Sequence, residues 1–351
     1  MPTPGAGMTG FGAGPNGLLW RERREVVDLS GLGDVFAASS LNPLLAAGPE
    51  TWRDAVDAAR AHDGPRSDVA PHLPFAVADY IDFYSSLEHA TNLGRMFRPD
   101  ADPLLPNWRW LPVGYHGRAG TVVVSGTDVV RPQGELKGEG DPVYAPSQRL
   151  DIELELGFVV GVPTGPGTTL GTADFERHVF GIVLVNDWSA RDIQAWEYQP
   201  LGPFLGKSFQ TSISAWVTPL ALVQDARVEA PQQEPPPLPH LAGGRDWGLD
   251  LALEIELNGE VVSRGNARTL YWTMPQQLAH ATSNGATLRT GDLLASGTIS
   301  GPEPGSEGSL IELWRNTRFL EDGDEVVLRG RSASVELGEV RGRVRSSRTH
   351  T

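Results

Sequence analysis

The sequence contains no cysteine, only two lysines and no long apolar run. Without cysteine the chain can form no disulfide, no thiolate metal site and no cysteine nucleophile. No apolar stretch approaches the roughly 18–20 residues that span a membrane. The first residues, MPTPGAGMTGFGAGPNG, have neither the basic start nor the apolar segment of a signal peptide. We therefore expect a cytoplasmic protein.

Basic residues are in the minority. The 351-residue chain has 29 Lys+Arg against 44 Asp+Glu, a formal net charge of −15. This acidity disfavours nucleic acid and anionic membranes as partners. All basic residues are arginine except Lys137 and Lys207. Because lysine is a compact point charge whose pKa changes on burial, each of the two is a weak indication of chemistry.

The composition predicts a mixed, β-rich chain with short helices. A hydrophobic content of 40% and a charged content of 21% are typical of globular proteins. A Gly- and Pro-rich segment, 64–77, is the best boundary candidate and divides the chain into 1–75 and 76–351. The polar, basic tail from about Arg341 is predicted to fray.

Hydrophobic periodicity predicts several individual elements. Pro49 begins a predicted helix, since proline is well placed in a first turn. The continuous apolar run Val179–Val185 predicts a buried strand, and the alternation in Leu150–Val160 predicts another. Pro275–Ser283 has the pattern of a short helix.

The strand around residue 153 carries a row of carboxylates, Asp151, Glu153 and Glu155, spaced about 7 Å apart on one face. Such a row is either a solvated strand face or a site for a hard cation, which takes oxygen ligands from grouped carboxylates. Asp187 favours the cation site, because it ends a buried strand and a carboxylate there needs a partner or a metal.

A predicted helix follows Asp187. Arg191, Gln194 and Tyr198 stand at i, i+3 and i+7 and therefore share one face of this helix. A cation, an amide and a phenol beside a metal site can stabilise an oxyanion. The pattern equally fits an exposed amphipathic helix.

His89 is the histidine with the most suggestive surroundings. One helix over 82–89 would place Asp82 and His89, seven residues apart, on the same face. The imidazole would then be available as a general base with a pKa near neutral pH. His116 is a rival that the pattern does not exclude, and Lys207 lies in a glycine-containing turn that permits close backbone approach.

These motifs resemble those of the fumarylacetoacetate hydrolase family. The matching stretches include DFYSSLEHATNLGRMFR, LPNWRWLPVGYHGRAGTVVVSGT, RLDIELELGFVVG and VLVNDWSARDIQAWEYQPLGPFLGKSFQTSISAWV. With YWTMPQQLAHATSNGATLRTGDLLASGTISGPEPGSEGSLIEL and FLEDGDEV, the resemblance extends over about residues 82–327. A looser similarity covers most of the first 75 residues.

The resemblance implies an SH3-like N-terminal β-barrel over 1–75, a larger mixed β-structure over 76–351 and a homodimer. It also implies a metal site for Ca²⁺, Mg²⁺ or both. The family's Mg²⁺ contacts fall near Asp187, Lys207 and Thr211. The family's Ca²⁺ ligands fall on Asp82, Glu153, Glu155 and Asp187, which turns Asp82 from a partner of His89 into a metal ligand.

Catalytic roles carry over in the same way. The proton acceptor falls on His89, oriented by Glu312, and the oxyanion stabilisers fall on Arg191, Gln194 and Lys207. The implied reaction is hydrolysis of a carbon–carbon bond in 4-fumarylacetoacetate to fumarate and acetoacetate, the last step of tyrosine and phenylalanine catabolism. The family's substrate contacts fall on Tyr84, Arg98, Tyr115, Gln194, Tyr198 and Thr298.

The chain departs from the family pattern in three places. Gln210 replaces a usually small residue, the segment before Tyr271 is shorter, and the sequence after Gly330 differs. Two alternatives stay open. One is a hydrolase of another 3,5-diketo acid or an acylpyruvate, and the other is a non-catalytic, metal-stabilised protein that binds carboxylate ligands.

Overall fold

The computed structural model describes residues 7–23, 25–242 and 247–348. Within these ranges the chain is β-rich, and its α-helices are mostly short, as the composition predicts. The helices are Asn42–Ala46, Pro49–Ala61, Leu87–Phe97, Phe175–His178, Arg191–Glu197, Leu205–Ser208, Met274–Thr282 and Leu310–Leu313.

The larger sheet has nine strands and joins the two ends of the described chain. The first strand, Gly7–Gly14, pairs antiparallel with its successor and parallel with Val335–Glu336. Long-range pairing of this kind places N-terminal strands next to C-terminal ones. The nine strands are Gly7–Gly14, Gly17–Arg23, Glu25–Asp28, Val129–Val130, Ala252–Leu257, Glu260–Asn266, Glu325–Arg331, Val335–Glu336 and Val340–Arg345.

The second sheet has eight strands and positions the candidate site. Its centre is the antiparallel pair Leu154–Val160 and Val179–Asp187, in which every residue is buried. The second of them contains the continuous apolar run Val179–Val185, which is typical of a strand covered on both faces. The eight strands are Tyr80–Phe83, Gly114–His116, Val122–Val124, Leu154–Val160, Val179–Asp187, Thr211–Ile213, Thr218–Pro219 and Leu293–Ala295.

Three two-stranded ribbons complete the β-structure of the described residues. One of them, Leu150–Asp151 with Ser189–Ala190, lies directly beside the second sheet along the chain. The other two pair Gln133–Leu136 with Val143–Pro146 and Arg227–Glu229 with Trp247–Leu249.

Several predicted elements are confirmed. The helix that begins at Pro49 runs to Ala61 and buries Trp52, Val56 and Ala59 on one face. The predicted helix over 275–283 is Met274–Thr282, which begins with a capping box between Thr273 and Gln276. The capping box satisfies backbone donors that a helix N-terminus otherwise leaves free.

The prediction of one helix over 82–89 is wrong. Asp82 lies in the strand Tyr80–Phe83 and His89 in the helix Leu87–Phe97, so no single helix holds both. Ser86 is the N-cap of this helix, because its hydroxyl accepts a hydrogen bond from the backbone N–H of His89. The helix therefore begins only after the strand that holds Asp82.

The tail from Arg341 does not fray at its start. Residues Val340–Arg345 form a strand that pairs with Glu325–Arg331 and with Val129–Val130. Its buried and more exposed residues alternate, so one face of the strand packs inward and the other faces outward. The last residues of the predicted tail, 349–351, lie outside the described residues, as do residues 1–6 of the predicted N-terminal domain.

No helix in the described ranges has the length and apolar character needed to cross a membrane. The three strands at the start of the chain form an antiparallel meander. The domain boundary near residue 75 stays a prediction.

Candidate active site

Four buried carboxylates meet where the strands of the second sheet end. Asp82 comes from an outer strand, Glu155 from a central strand, and Asp187 is the last residue of the neighbouring strand. Glu153 lies just before the central strand. Each of the four offers a ligand atom within 4.8 Å of the others. Glu153 and Glu155 are therefore not on a solvated strand face. Their arrangement fits the other interpretation, a cation site.

The donor set suits a hard cation. Among the described residues, Asp82 Oδ1 and Glu155 Oε1 are buried without a hydrogen-bond partner. Burial and, after it, the charge of the neighbouring Asp187 raise the pKa of Asp82 well above its usual range. Burial and, after it, the charge of Asp82 raise the pKa of Glu155 in the same way. Buried carboxylate oxygens that lack a hydrogen-bond partner and repel one another are suitable ligands for a divalent cation.

Two cations already touch this cluster. The ammonium of Lys207 contacts Glu153 Oε2 and lies 2.7 Å from Asp187 Oδ2. The guanidinium of Arg191 lies 2.7 Å from Glu153 Oε1. Burial alone would raise the pKa of Glu153, but Lys207 and Arg191 hold it well below its usual range. Burial alone would lower the pKa of Lys207, and Asp187 and Glu153 raise it instead.

Hydroxyl groups orient the carboxylates from the other side. Tyr115 donates to Asp82 Oδ2 at 3.0 Å and to Asp187 Oδ2 at 2.9 Å. Thr211 donates to Asp187 Oδ1 at 3.1 Å. Burial, then the charges of Asp187 and Asp82, raise the pKa of Tyr115 well above its usual range, so the phenol stays a donor.

His89 is buried next to the carboxylates. Its Nδ1 atom lies 2.6 Å from Glu312 Oε2, and its Nε2 atom lies 3.8 Å from Glu153 Oε1. Burial alone would raise the pKa of Glu312, but His89 keeps it below the usual value. An ionised Glu312 accepts a hydrogen bond from the N–H group at Nδ1. The lone pair of Nε2 is then available to take a proton, which is the arrangement of a general base.

Further donors hold Glu312 in place. Asn92 donates to Oε1 at 3.0 Å, and Ser300 and Ser309 donate to Oε2 at 2.9 and 2.6 Å. The sequence reasoning missed all three. The signals were present, because Ser309 precedes Glu312 with capping-box spacing and Asn92 follows His89 by almost one helical turn.

Asp151 corrects the first interpretation of the carboxylate row. It is fully buried but lies outside the group of four, and its Oδ2 accepts from Arg191 Nε at 2.8 Å. Strand pairing changes at this point, since Leu150–Asp151 and Leu154–Val160 belong to different sheets. The two residues between the strands therefore break the strict alternation that would place all three acids on one face.

The other predicted residues divide into two groups. Tyr84 packs edge-on against His89 with ring centroids 5.2 Å apart, and Gln194 Oε1 accepts from Arg191 Nη1 at 3.3 Å. Thr298 is buried. Arg98 donates to the carbonyl of Pro103, and Tyr198 is exposed with its hydroxyl accepting from Gln199, so the contacts of these two lie away from the carboxylates.

A surface cavity of about 350 Å³ opens on the Tyr115–Lys207 side of the cluster. His116, the rival histidine, lies exposed at this cavity beside Arg118. Burial and the contact with Glu312 therefore distinguish His89 from His116 as the candidate base.

Comparisons with known proteins show which family the chain is similar to. The model of the fumarylacetoacetate hydrolase C-terminal domain matches residues 80–345. The chain is 47% identical to the fumarylacetoacetase of Rattus norvegicus over 88% of this chain and 79% of that one. It is 43% identical to the fumarylacetoacetase of Arabidopsis thaliana, over 89% and 84% of the two chains.

Solved structures show the same fold at lower identity. A fumarylacetoacetate hydrolase from Exiguobacterium antarcticum is 19% identical, has a TM-score of 0.65, and covers 97% of this chain and 99% of its own. A maleylpyruvate hydrolase from Sphingobium is 18% identical with a TM-score of 0.62, covering 96% and 100%. Because the family model matches most of this chain, the chain belongs to the fumarylacetoacetate hydrolase family.

Proposed function

We propose that the protein hydrolyses a carbon–carbon bond in 4-fumarylacetoacetate and releases fumarate and acetoacetate. The observation that carries this proposal is the buried pair of His89 and Glu312, 2.6 Å apart, next to a group of four carboxylates. The curated relatives at 43–47% identity bear the name of this activity. A base beside a cation site suits hydrolysis of a diketone and has no use in a protein that only binds carboxylates.

The free carboxylate oxygens support a divalent cation, Ca²⁺ or Mg²⁺, as cofactor. Its chemistry at this site would be Lewis-acid polarisation of the substrate's diketone oxygens. Lys207 and Thr211, which both contact Asp187, would lie beside a Mg²⁺ ion. The charged ammonium of Lys207 has no lone pair and would not itself be a ligand. The residues that would hold the cation are Asp82, Glu153, Glu155 and Asp187.

His89 begins the reaction as the base. Its Nε2 atom takes a proton from water, and the hydroxide oxygen bonds to the ketone carbon of the fumaryl group, which becomes a carboxyl carbon of fumarate. Glu312 accepts a hydrogen bond from Nδ1 and stabilises the imidazolium that forms. The negative charge on the former carbonyl oxygen then needs donors nearby.

Arg191, Gln194 and Lys207 supply these donors. Arg191 and Lys207 are buried cations that stay charged, so their field costs no reorganisation when the oxyanion forms. When the tetrahedral species collapses, the bond between the ketone carbon and the adjacent methylene carbon breaks. The electron pair stays on the methylene carbon, which takes a proton and becomes the methyl group of acetoacetate.

Substrate contacts complete the proposal. Tyr84, beside His89, and the buried Thr298 would contact the reacting part of the substrate together with Tyr115 and Gln194. Arg98 and Tyr198 would contact its outer parts. Their present contacts with Pro103 and Gln199 involve a backbone carbonyl and an exposed side chain, both of which can rearrange.

We also propose a cytoplasmic homodimer with an SH3-like N-terminal domain over residues 1–75. Exposed apolar side chains in one short segment support an interface between copies, since Leu201 is 97% and Phe204 59% exposed. The antiparallel meander at the start of the chain supports a small N-terminal β-domain, which joins the C-terminal strands through the pairing of Gly7–Gly14 with Val335–Glu336. Light scattering measures the dimer, and limited proteolysis of the whole chain locates the boundary near residue 75.

The decisive experiment follows loss of 4-fumarylacetoacetate by absorbance. Purified protein is assayed with Mg²⁺ or Ca²⁺, and again after EDTA. We expect loss of absorbance with either cation and none after chelation. Intact, folded protein that leaves the substrate unchanged in both cations would contradict the proposal, and assays with acylpyruvates and other 3,5-diketo acids would then identify the substrate.

A further inference from the structure

Asp151 is a buried carboxylate for which the proposed mechanism has no role. It lies outside the group of four carboxylates and accepts four hydrogen bonds of its own. We propose that Asp151 is a positioning residue that locks Arg191 and Glu312 together as one unit. The inference rests on the proposed function, because Arg191 and Glu312 matter only if the enzyme forms and stabilises an oxyanion.

The first part of the argument concerns Arg191. Its Nε atom donates to Asp151 at 2.8 Å, while its other nitrogens lie near Glu153 and Gln194. Without Asp151, the Nε atom would lose its partner and the guanidinium would be free to turn further toward Glu153, one of the proposed metal ligands. Asp151 thus anchors the Nε side of the guanidinium while another nitrogen contacts Glu153.

The second part concerns the short helix Leu310–Leu313, which carries Glu312. Its N-cap residue, Ser309, accepts no capping hydrogen bond from the helix, and its hydroxyl donates instead to Glu312 Oε2 at 2.6 Å. Asp151 takes over this role from a distant point in the sequence. It accepts from the backbone N–H of Leu310 at 2.9 Å and of Ile311 at 3.3 Å. Asp151 and Ser309 thus act on the same helix, Asp151 on its backbone N–H groups and Ser309 on the Glu312 carboxylate.

The third part is the distribution of donors around the two carboxylate oxygens. Oδ1 accepts from the backbone N–H groups of Ile152 and Leu310, and Oδ2 accepts from Arg191 and Ile311. An asparagine has the same shape, but its amide nitrogen would face two donors in either orientation. Only a carboxylate satisfies both sides at once. Asp151→Asn is therefore a nearly isosteric variant that disrupts the lock.

The test compares Asp151→Asn with the wild type in assays of 4-fumarylacetoacetate hydrolysis. We expect kcat to fall about ten- to a hundredfold, the usual effect of losing a residue that orients catalytic groups. KM should change less than kcat, and the limb of the pH profile that reports His89 should shift because Glu312 moves. A residue with a purely structural role would lower the unfolding temperature without changing the pH profile of the folded enzyme.

Asp322→Asn is the matched control. Asp322 accepts from Arg131 Nε at 2.7 Å, so the variant removes the same kind of ion pair on a partly exposed surface. We expect its kcat to equal that of the wild type. A double mutant of Asp151→Asn with Arg191→Lys adds a second readout, because the effect of the first change should shrink when Arg191 is already replaced.

The outcomes separate the two proposals. A wild-type protein without turnover would contradict the proposed function and not the lock. An active wild type with an unchanged kcat and pH profile in Asp151→Asn would overturn the role of Asp151. If Asp151→Asn does not fold, Asp151→Glu replaces it, since the charge stays and the carboxylate moves by one methylene. A wild-type kcat in that variant would equally overturn the proposal.

Discussion

The Nδ1 atom of His89 lies 2.6 Å from Glu312 Oε2, although 223 residues separate the two in sequence. Both side chains are almost fully buried. A buried histidine paired with a carboxylate has its ring orientation and tautomer fixed, which prepares the opposite nitrogen for proton transfer.

Replacing His89 by Ala should lower kcat by about 10²–10⁴-fold, the usual contribution of a general base. Binding of the cation should persist, because His89 is outside the group of four carboxylates. Steady-state kinetics and calorimetric titration with Mg²⁺ or Ca²⁺ measure the two quantities. The same assays on His116→Ala test the rival, and near-normal turnover in His89→Ala with a large loss in His116→Ala would reassign the base.

Stability should depend on the ionisation of Glu312. Its pKa is lower in the folded state than the usual value of about 4.3. The ionised side chain therefore stabilises the fold above that pH, and this stabilisation disappears as the pH falls through the folded pKa. In urea unfolding at pH 7, we expect the free energy of unfolding of the wild type to be about 1–3 kcal/mol larger than that of Glu312→Gln. A gap of the same size at pH 3 would show that the charge of Glu312 does not contribute.

Divalent cations should stabilise the protein against heat. A ligand that binds only the folded state at a hundred times its Kd adds about 2.7 kcal/mol to the free energy of unfolding. Melting curves with EDTA, Mg²⁺ and Ca²⁺ measure this shift. Glu155→Gln should abolish it, whereas Glu260→Gln, which alters an exposed carboxylate on the other sheet, should retain it. Equal shifts in the two variants would place the cation elsewhere.

Removal of Lys207 should have opposite effects on turnover and on cation affinity. Its ammonium contacts Glu153 and Asp187 and so repels a divalent ion that uses the same carboxylates. We expect Lys207→Met to bind Mg²⁺ more tightly and to lose about 10²–10³-fold in kcat, as after loss of an oxyanion donor. Lys137→Met, which replaces the other, exposed lysine, serves as the control. Weaker Mg²⁺ binding by Lys207→Met would contradict this account.

Local patterns predicted the elements that depend on neighbouring residues. The amphipathic helix from Pro49 and the buried strand that ends at Asp187 follow from periodicity and continuous apolar sequence. The scarcity of lysine was also informative, because Lys207 is buried against two carboxylates whereas Lys137 is exposed. Patterns also indicated candidates such as His89 and Arg191, whereas their assigned roles, and Glu312 itself, came from the family resemblance.

Features that depend on distant partners were not accessible from local sequence. Asp151 belongs by spacing to the row of Glu153 and Glu155, yet a change of sheet turns it toward Arg191. The start of the tail at Arg341 has the polar composition of a frayed end and gains its order from two strands, the nearby Glu325–Arg331 and the distant Val129–Val130. Strand propensity depends on such partners more than helix propensity does.

The parallel pairing of Gly7–Gly14 with Val335–Glu336 also constrains how the chain is made. A ribosome adds about 5–20 residues per second, so the first strand waits roughly 15 to 60 s for its C-terminal neighbour. Until then the edge at Gly7 and Met8 stays unpaired, whereas Phe11 can pair with Val217 much earlier. An unpaired strand edge is a template for pairing with other chains. Nascent chains held at residue 330 should therefore aggregate or recruit chaperones more than the completed protein does.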